Sequence, residues 1–339
     1  MGLVEGVNVT SLGAGAWGTA LALHAARAGH TVTLAPRRLE QALQLSQERE
    51  NRDYLPGFKL PVEIQIGLEI RPVIMEAELV LLACPMRGLR ALAGAVQKEL
   101  DAAWAGPMLV TLCKGMEVET LKLPHAVLAE ALPGRPTGVL SGPSFAGEVA
   151  AGKPTAVVLA TEADEEHARR VQEALSGPAL RVYRSRDVAG VELAGALKNI
   201  YAIGAGVCDG LKLGDNAKAA YLTRALHEMT RLGMKLGGQA ATFYGLSGFG
   251  DLVVTCEGKW SRNRTFGEEL ARGKSAGELL KDRKTVVEGH AAAAAFAAVC
   301  AREKFDAPIL AEIHAVLYAG KDPRQVIPAL MERELRAEG

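Results

Sequence analysis

The strongest constraint on this chain lies at its start, where residues 7–20 read VNVTSLGAGAWGTA. An apolar strand pattern, Val7 to Leu12, runs straight into Gly13, Gly15 and Gly18, and these open a helical pattern, Trp17 to Ala28, that stops at Gly29. Each glycine has its own reason to be there. Gly13 permits the tight turn, Gly15 lets backbone N–H groups approach a pyrophosphate, and Gly18 lets helix and strand pack closely. The helix N-terminus then offers partial positive charge to the anion. A glycine triplet alone also makes ordinary turns, but strand, triplet and helix in this order at the head of a βαβ unit predict dinucleotide binding.

Where the second strand ends, an NAD-specific site places a carboxylate for the ribose 2′-hydroxyl. This chain instead reads Ala35-Pro36-Arg37-Arg38. The two arginines either pair with a 2′-phosphate, which favours NADP(H) while leaving NAD(H) open, or are simply solvated surface residues.

Short apolar runs continue at Thr31 to Ala35, Leu79 to Ala83, Met108 to Thr111, Val139 to Ser141, Ala156 to Ala160 and Leu180 to Tyr183, with helical patterns such as Ala163 to Leu175 between them. This alternation predicts a doubly wound, mostly parallel α/β sheet domain of the Rossmann type over residues 1–190. After Asp187 the strand signals stop. Helical patterns follow at Val188 to about Val207, Asn216 to Leu236, Thr265 to Ala271, Thr285 to Glu303 and Ile309 to Ala319, so residues 191–339 read as an all-α C-terminal domain.

Lysine plus arginine balance aspartate plus glutamate at 39 each, which leaves no net field to draw nucleic acid or an anionic membrane. The five cysteines are scattered without metal-ligand spacing and read as reduced cytosolic thiols. The N-terminus has no basic stretch ahead of an apolar core, and the alanine-rich run Ala291 to Ala301 is too short to cross a bilayer. A cytoplasmic protein acting on a small molecule is expected, and a homodimer is plausible by base rate alone.

Chemistry is sought where polar residues interrupt apolar surroundings. Lys198 and Asn199 stand inside LAGALKNIYAIG, a small, apolar helical run. Such a lysine either snorkels to solvent or is held in a dry cleft, where it exchanges a proton with a carbonyl oxygen. Lys114-Gly115, Gly248-Phe249-Gly250-Asp251-Leu252 and Ser261-Arg262-Asn263-Arg264 also carry polar groups in settings an ordinary helical domain does not need. The last suits a phosphate monoester, although Thr265 with Glu268 also makes a capping box, and Asp251 alone would only close a turn. Ser144, in SGPSF, lacks the nucleophile-elbow pattern and an evident base. The seven histidines are dispersed without zinc-type pairing, so no metal is expected, and His290 reads as a helix-start residue.

Taken together, GAGAWGTALA from Gly13, NRDYLPG from Asn51, CKGME from Cys113, LSGPSFAGEVA from Leu140, the VELAGALKN segment from Val191, GLSGFGDLVVTC from Gly245, SRNR from Ser261 and VVEG from Val286 resemble the bacterial NAD(P)-dependent glycerol-3-phosphate dehydrogenases along nearly the whole chain. The resemblance implies reduction of dihydroxyacetone phosphate to sn-glycerol 3-phosphate for membrane phospholipid synthesis. It makes Lys198 the catalytic proton donor and acceptor, also touching substrate. Lys114, Gly142, Ser144, Asp251, Ser261, Arg262 and Asn263 become substrate residues. Gly13, Gly15, Ala16, Trp17, Gly18, Arg37, Arg38, Lys114, Ala146, Arg262, Val286 and Glu288 become cofactor residues. Ala16 and Cys113 stand where relatives commonly have serine, and His290 where they more often have an aliphatic residue. Rival readings are a dehydrogenase of another hydroxy acid or sugar acid, which need not carry the SRN segment, and a dinucleotide sensor, which could dispense with Lys198 and Asp251. A structural scaffold would hardly need so many polar residues in glycine-rich turns.

Overall fold

The computed structural model describes residues 6–100, 106–281 and 287–334, and its chain divides into two compact units. The first comprises Met1–Glu117 and Lys122–Glu192, the second Val118–Leu121 and Leu193–Gly339.

In the first unit eight strands form one sheet: β1 Asn8–Leu12, β2 Thr31–Ala35, β3 Gln65–Ile66, β4 Leu79–Leu82, β5 Met108–Thr111, β6 Thr137–Ser141, β7 Thr155–Thr161 and β8 Leu180–Ser185. Their spatial order is β3-β2-β1-β4-β5-β6-β7-β8, with every neighbouring pair parallel except β6 and β7. Strand β4 shows why the interior strands read as unbroken apolar runs. Its Leu79 and Leu81 enter one core with Leu21 and Leu175, while Val80 and Leu82 enter a second core with Leu89 and Val127. Successive side chains leave a strand on opposite faces, so a strand covered by helices on both sides needs every position apolar. Edge strand β8, LRVYRS, instead buries Leu180 and Val182 and leaves Arg181 and Tyr183 exposed. The helices Ala16–Arg27, Leu39–Glu48, Met86–Glu99, Pro124–Ala131 and Glu165–Leu175 complete the doubly wound alternation. The two-residue β3 was not visible in the sequence, because so short a strand has no periodicity to read.

The second unit is helical. Its described helices include Val188–Gly210, which begins in the first unit, then Asp215–Lys235, Asp251–Glu257, Arg262–Ala271, Glu288–Glu303 and Pro308–Tyr318. Helix Val188–Gly210 is buried almost throughout from Val191 to Cys208, hence its small apolar sequence. A Cβ on Gly206 would lie 1.9 Å from the Arg264 carbonyl oxygen, and one on Gly267 would lie 1.9 Å from that of Ile203, so two helices meet backbone to backbone. Glu228 is buried and accepts the N–H groups of Ile309 and Leu310, both at 2.9 Å, together with the Tyr201 hydroxyl at 3.2 Å. A carboxylate on one helix thereby satisfies the open N-terminus of another. Helix Arg262–Ala271 starts three residues before the expected Thr265, because the Ser261 side chain accepts the Arg264 N–H and caps it. The expected start of the following long helix at Thr285, like Val286, lies outside the described residues; from Glu288 the helix runs to Glu303. No described helix is long and apolar enough to cross a membrane.

Candidate cofactor and catalytic sites

The glycine loop leaves β1 at the point where the strand order reverses, with β2 on one side and β4 on the other. A crevice at the carboxyl ends of the strands at such a switch point is where doubly wound sheets bind ligands. Gly13 has φ +121°, and a Cβ there would stand 2.2 Å from the Ala83 carbonyl oxygen, so both its conformation and its neighbour exclude a side chain. Its N–H donates to the Ala35 carbonyl at 2.8 Å. A Cβ on Gly18 would meet the Gly13 oxygen at 2.2 Å, which sets helix Ala16–Arg27 close against the turn. Gly15 is different: nothing lies within 4 Å of its Cβ position. It caps the helix N-terminus without a side-chain hydrogen bond, and the opening N–H groups of a helix have no partner within it. Open space over a bare helix N-terminus fits a pyrophosphate.

Buried side chains fix this loop. Gln41 Nε2 and Asn51 Nδ2 both donate to the Ala14 carbonyl, at 2.8 and 2.9 Å, and Asn51 also reaches Thr19 Oγ1 at 2.8 Å. Sequence reasoning did not single out Gln41 or give Asn51 a role, since neither lies within a recognisable spacing from the glycines. Trp17 and Ala146 pack against the same core as the loop helix, and Ala146 opens the short helix Ala146–Ala150. Arg37 and Arg38 are exposed just past β2.

Beyond β5, Lys114 Nζ donates to the Gly142 carbonyl at 3.1 Å, and the Ser144 hydroxyl donates to the same oxygen at 3.0 Å. Three expected substrate residues of the first unit are therefore brought together by one carbonyl. Gly142 takes φ +135° with Val157 directly behind it, so the turn after β6 carries no side chain there.

In the second unit Lys198 is 7% exposed, and its Nζ donates to Asp251 Oδ1 at 2.9 Å and to Thr255 Oγ1 at 2.6 Å. The lysine is therefore buried and does not snorkel to solvent. Asp251 is 1% exposed and follows directly on a π-helical turn, Leu246–Gly250, that opens into helix Asp251–Glu257. Such turns are rare and recur at functional sites. Thr255, one helical turn after Asp251, sends its hydroxyl to the Asp251 carbonyl at 2.6 Å, which aims its lone pairs at the lysine. Sequence reasoning missed Thr255; the i, i+4 spacing from Asp251 was the available signal.

A second layer surrounds the lysine's neighbour. Asn199 Oδ1 accepts from Asn263 Nδ2 at 2.9 Å, Asn263 Oδ1 accepts the Gly289 N–H at 3.0 Å, and Asn199 Nδ2 donates to Glu288 Oε2 at 3.4 Å. Two hydrogen-bonded sets, Lys198 with Asp251 and Thr255, and Asn199 with Asn263 and Glu288, are thus carried by adjacent residues of one helix and drawn from four separate stretches of sequence. Ser261 is buried in its capping role, and Arg262, the next residue, is exposed at the helix start. His290 is the third residue of helix Glu288–Glu303; the Tyr318 hydroxyl donates to its backbone carbonyl at 2.8 Å and lies 2.9 Å from its Nδ1.

A doubly wound sheet with a bare glycine loop at its switch point, joined in one chain to a helical unit holding a buried lysine–carboxylate pair, defines a nicotinamide-dependent dehydrogenase. Residues 8–167 match the profile described as NAD-dependent glycerol-3-phosphate dehydrogenase N-terminus, and residues 187–328 match that described as its C-terminus. The chain belongs to the NAD-dependent glycerol-3-phosphate dehydrogenase family. It is 45% identical, over 98% of its length and 100% of the relative's, to glycerol-3-phosphate dehydrogenase (NAD(P)+) of Thiobacillus denitrificans. With the enzyme of the same description from Herminiimonas arsenicoxydans it shares 44% identity over 98% of this chain and 99% of that one. The crystal structure of glycerol-3-phosphate dehydrogenase from Coxiella burnetii superposes with a TM-score of 0.91 at 36% identity, covering 97% of this chain and 99% of that one. The enzyme of Saccharomyces cerevisiae, at 24% identity and a TM-score of 0.82 over 97% of this chain and 100% of that one, shares the fold.

Proposed function

We propose that this oxidoreductase reduces dihydroxyacetone phosphate to sn-glycerol 3-phosphate with NADPH or NADH, in the cytoplasm, and supplies glycerol 3-phosphate for membrane phospholipids. The observation that carries the reading is the buried Lys198 with Asp251 and Thr255 within hydrogen-bond distance. A reduced nicotinamide, when bound, supplies a hydride to the ketone carbon. Lys198 gives its proton to the ketone oxygen as the alkoxide develops, and its positive charge is aimed where negative charge appears. Asp251 and Thr255 accept two of the three ammonium hydrogens and so fix the orientation of the head group. Arg262 and Asn263 grip the phosphate, with Lys114, Gly142, Ser144 and Ser261 completing the substrate contacts. Binding energy from this non-reacting end then positions the carbonyl.

Gly13, Gly15, Ala16, Trp17 and Gly18 hold the pyrophosphate, and Arg37 and Arg38 pair with a 2′-phosphate, so NADPH is the better donor. Ala146, Val286 and Glu288 complete the cofactor contacts. The working assembly is a homodimer.

The test is consumption of NADPH and of NADH, read by absorbance, with dihydroxyacetone phosphate and with unphosphorylated dihydroxyacetone. Turnover that needs the phosphate supports the assignment. Binding of both cofactors with consumption of neither refutes it. Replacing Arg37 and Arg38 by alanine lowers kcat/KM for NADPH by roughly 10- to 100-fold, the worth of a hydrogen bond to a charged group, and leaves NADH nearly unaffected.

A further inference from the structure

Two cysteines stand side by side at the carboxyl end of the sheet, and neither has a part in the chemistry above. Strands β4 and β5 pair in parallel with Leu82 opposite Thr111, and two residues further along each strand stand Cys84 and Cys113. Their sulfurs are 3.8 Å apart, and Cys113 Sγ also donates to the Cys84 carbonyl at 2.9 Å. Both are thiols, Cys113 buried and Cys84 partly exposed. The remaining cysteines, Cys208, Cys256 and Cys300, are buried, and burial pushes their thiols up, so they stay protonated. Cys84 is the opposite case. When it loses its proton the Cys113 S–H can turn from the carbonyl to the new thiolate, and that hydrogen bond holds the Cys84 thiol below its ordinary range. Cys84 also immediately precedes Pro85, the N-cap of the 14-residue helix Met86–Glu99, whose positive end favours a thiolate.

We propose that Cys84 and Cys113 form a peroxide-oxidised thiol pair, a reversible modification site that closes to a disulfide and shuts down turnover. The Cys84 thiolate attacks one oxygen of a hydroperoxide; the O–O bond breaks, a sulfenic acid forms on Cys84, and hydroxide leaves and takes up a proton. The Cys113 thiol then attacks the Cys84 sulfur; the S–S bond forms, the S–O bond breaks, and a second water leaves with the Cys113 proton. Two thiols lose two electrons in all, and one peroxide is reduced to two waters when hydrogen peroxide is the oxidant. Sulfurs in contact at 3.8 Å must approach to about 2.05 Å, and both flanks of the pair lie against proposed machinery. The Ala83 carbonyl, one residue before Cys84, is the group that a Cβ on Gly13 would strike. Lys114, one residue after Cys113, reaches the Gly142 carbonyl. A displacement of about 1 Å at such a constellation costs on the order of 100-fold in rate.

The loss of turnover rests on the proposed function, whereas the chemical modification does not, and the two are read separately. The whole enzyme is treated with hydrogen peroxide and analysed by mass spectrometry of its peptides alongside consumption of NADPH. The expected result is a Cys84–Cys113 cross-linked peptide with a fall in turnover of roughly 10- to 100-fold, and on addition of dithiothreitol the cross-link is lost and turnover returns. In Cys113→Ser no cross-link forms, and Cys84 accumulates as a sulfenic acid that dimedone traps. Cys84 and Cys113 left as thiols under peroxide, or a cross-link that leaves turnover unchanged, would overturn the proposal. If the untreated enzyme turns over no dihydroxyacetone phosphate, the functional assignment fails, while the cross-linked peptide still decides the thiol pair.

Discussion

The glycine loop of the first unit and the Lys198 cluster of the second are built on opposite principles. The loop works by leaving side chains out: Gly13 and Gly18 have backbone or Cβ atoms pressed where a side chain would go, and Gly15 opens onto free space. The cluster works by putting side chains in, with a buried ammonium held by Asp251 and Thr255 and, beside it, Asn199 tied to Asn263 and Glu288. A site made of backbone is fixed by local geometry and survives in any chain that keeps the turn. A site made of side chains from distant segments depends on the packing that brings them together, and it is sensitive to each partner.

That contrast can be broken most forcefully at Asp251. Replacing it by alanine leaves a buried ammonium without this carboxylate, and breaking a buried ion pair from one side costs about 3–5 kcal/mol. A clearly lowered melting temperature is expected together with a fall in kcat, read by thermal denaturation and initial rates. An unchanged melting temperature would mean that the pair is not buried in solution as it is here.

The loop predicts a split between two neighbouring glycines. Gly13→Ala forces an alanine into φ +121° against the Ala83 carbonyl and should destabilise the first unit by about 1–3 kcal/mol or more. Gly15→Ala meets nothing within 4 Å, so stability should change by no more than about 0.5 kcal/mol. Its methyl group intrudes on the pyrophosphate, however, and KM for NADPH should rise on the order of tenfold, the worth of about 1.4 kcal/mol. Equal behaviour of the two variants in thermal shift and cofactor titration would undo the distinction between them.

Thr255→Val tests the cluster more gently. It keeps the shape and removes one acceptor from Lys198, at a cost of about 0.5–1.5 kcal/mol. The effect should fall on kcat rather than on the KM for NADPH, a difference that steady-state kinetics resolves.

The smallest effect concerns a pair outside both sites. Glu192 is fully buried and accepts the His125 backbone N–H at 2.8 Å and its Nδ1 at 2.6 Å. The hydrogen bond to Glu192 raises the His125 pKa, and burial raises that of Glu192. A histidine raised in the folded state adds stability that is fully present below its unfolded pKa and is lost as pH climbs through the folded value. A carboxyl raised on folding acts in the same direction, since the folded state holds its proton longer. The melting temperature should therefore decline as pH rises above about 6.5, the ordinary histidine value, and Glu192→Gln should flatten that decline. The His125 side chain is 41% exposed, so solvent screening keeps the contribution below about 1 kcal/mol.

The same contrast explains what the sequence revealed. The sheet unit was legible because strands buried on both faces are apolar at every position and because the glycine loop must be glycine. Strand β3 was not, being two residues long, and neither were the Gln41 and Asn51 clamps on Ala14, whose partners lie 27 and 37 residues away. Lys198 stood out as a charge in an apolar helix, but whether it faced solvent or Asp251 depended on a contact across 53 residues that no periodicity encodes. The start of helix Arg262–Ala271 was misplaced for a local reason: Ser261 and Thr265 are both competent caps, and packing chose the earlier one.

The most direct test of the central claim is to measure cofactor affinity and turnover together in Lys198→Ala, by fluorescence titration with NADPH and by rates with dihydroxyacetone phosphate. If the backbone loop holds the cofactor and the buried lysine performs proton transfer, the Kd for NADPH stays within about twofold while kcat falls by roughly 10²- to 10⁴-fold. Turnover that survives the substitution, or cofactor affinity that is lost along with it, would contradict that division of labour.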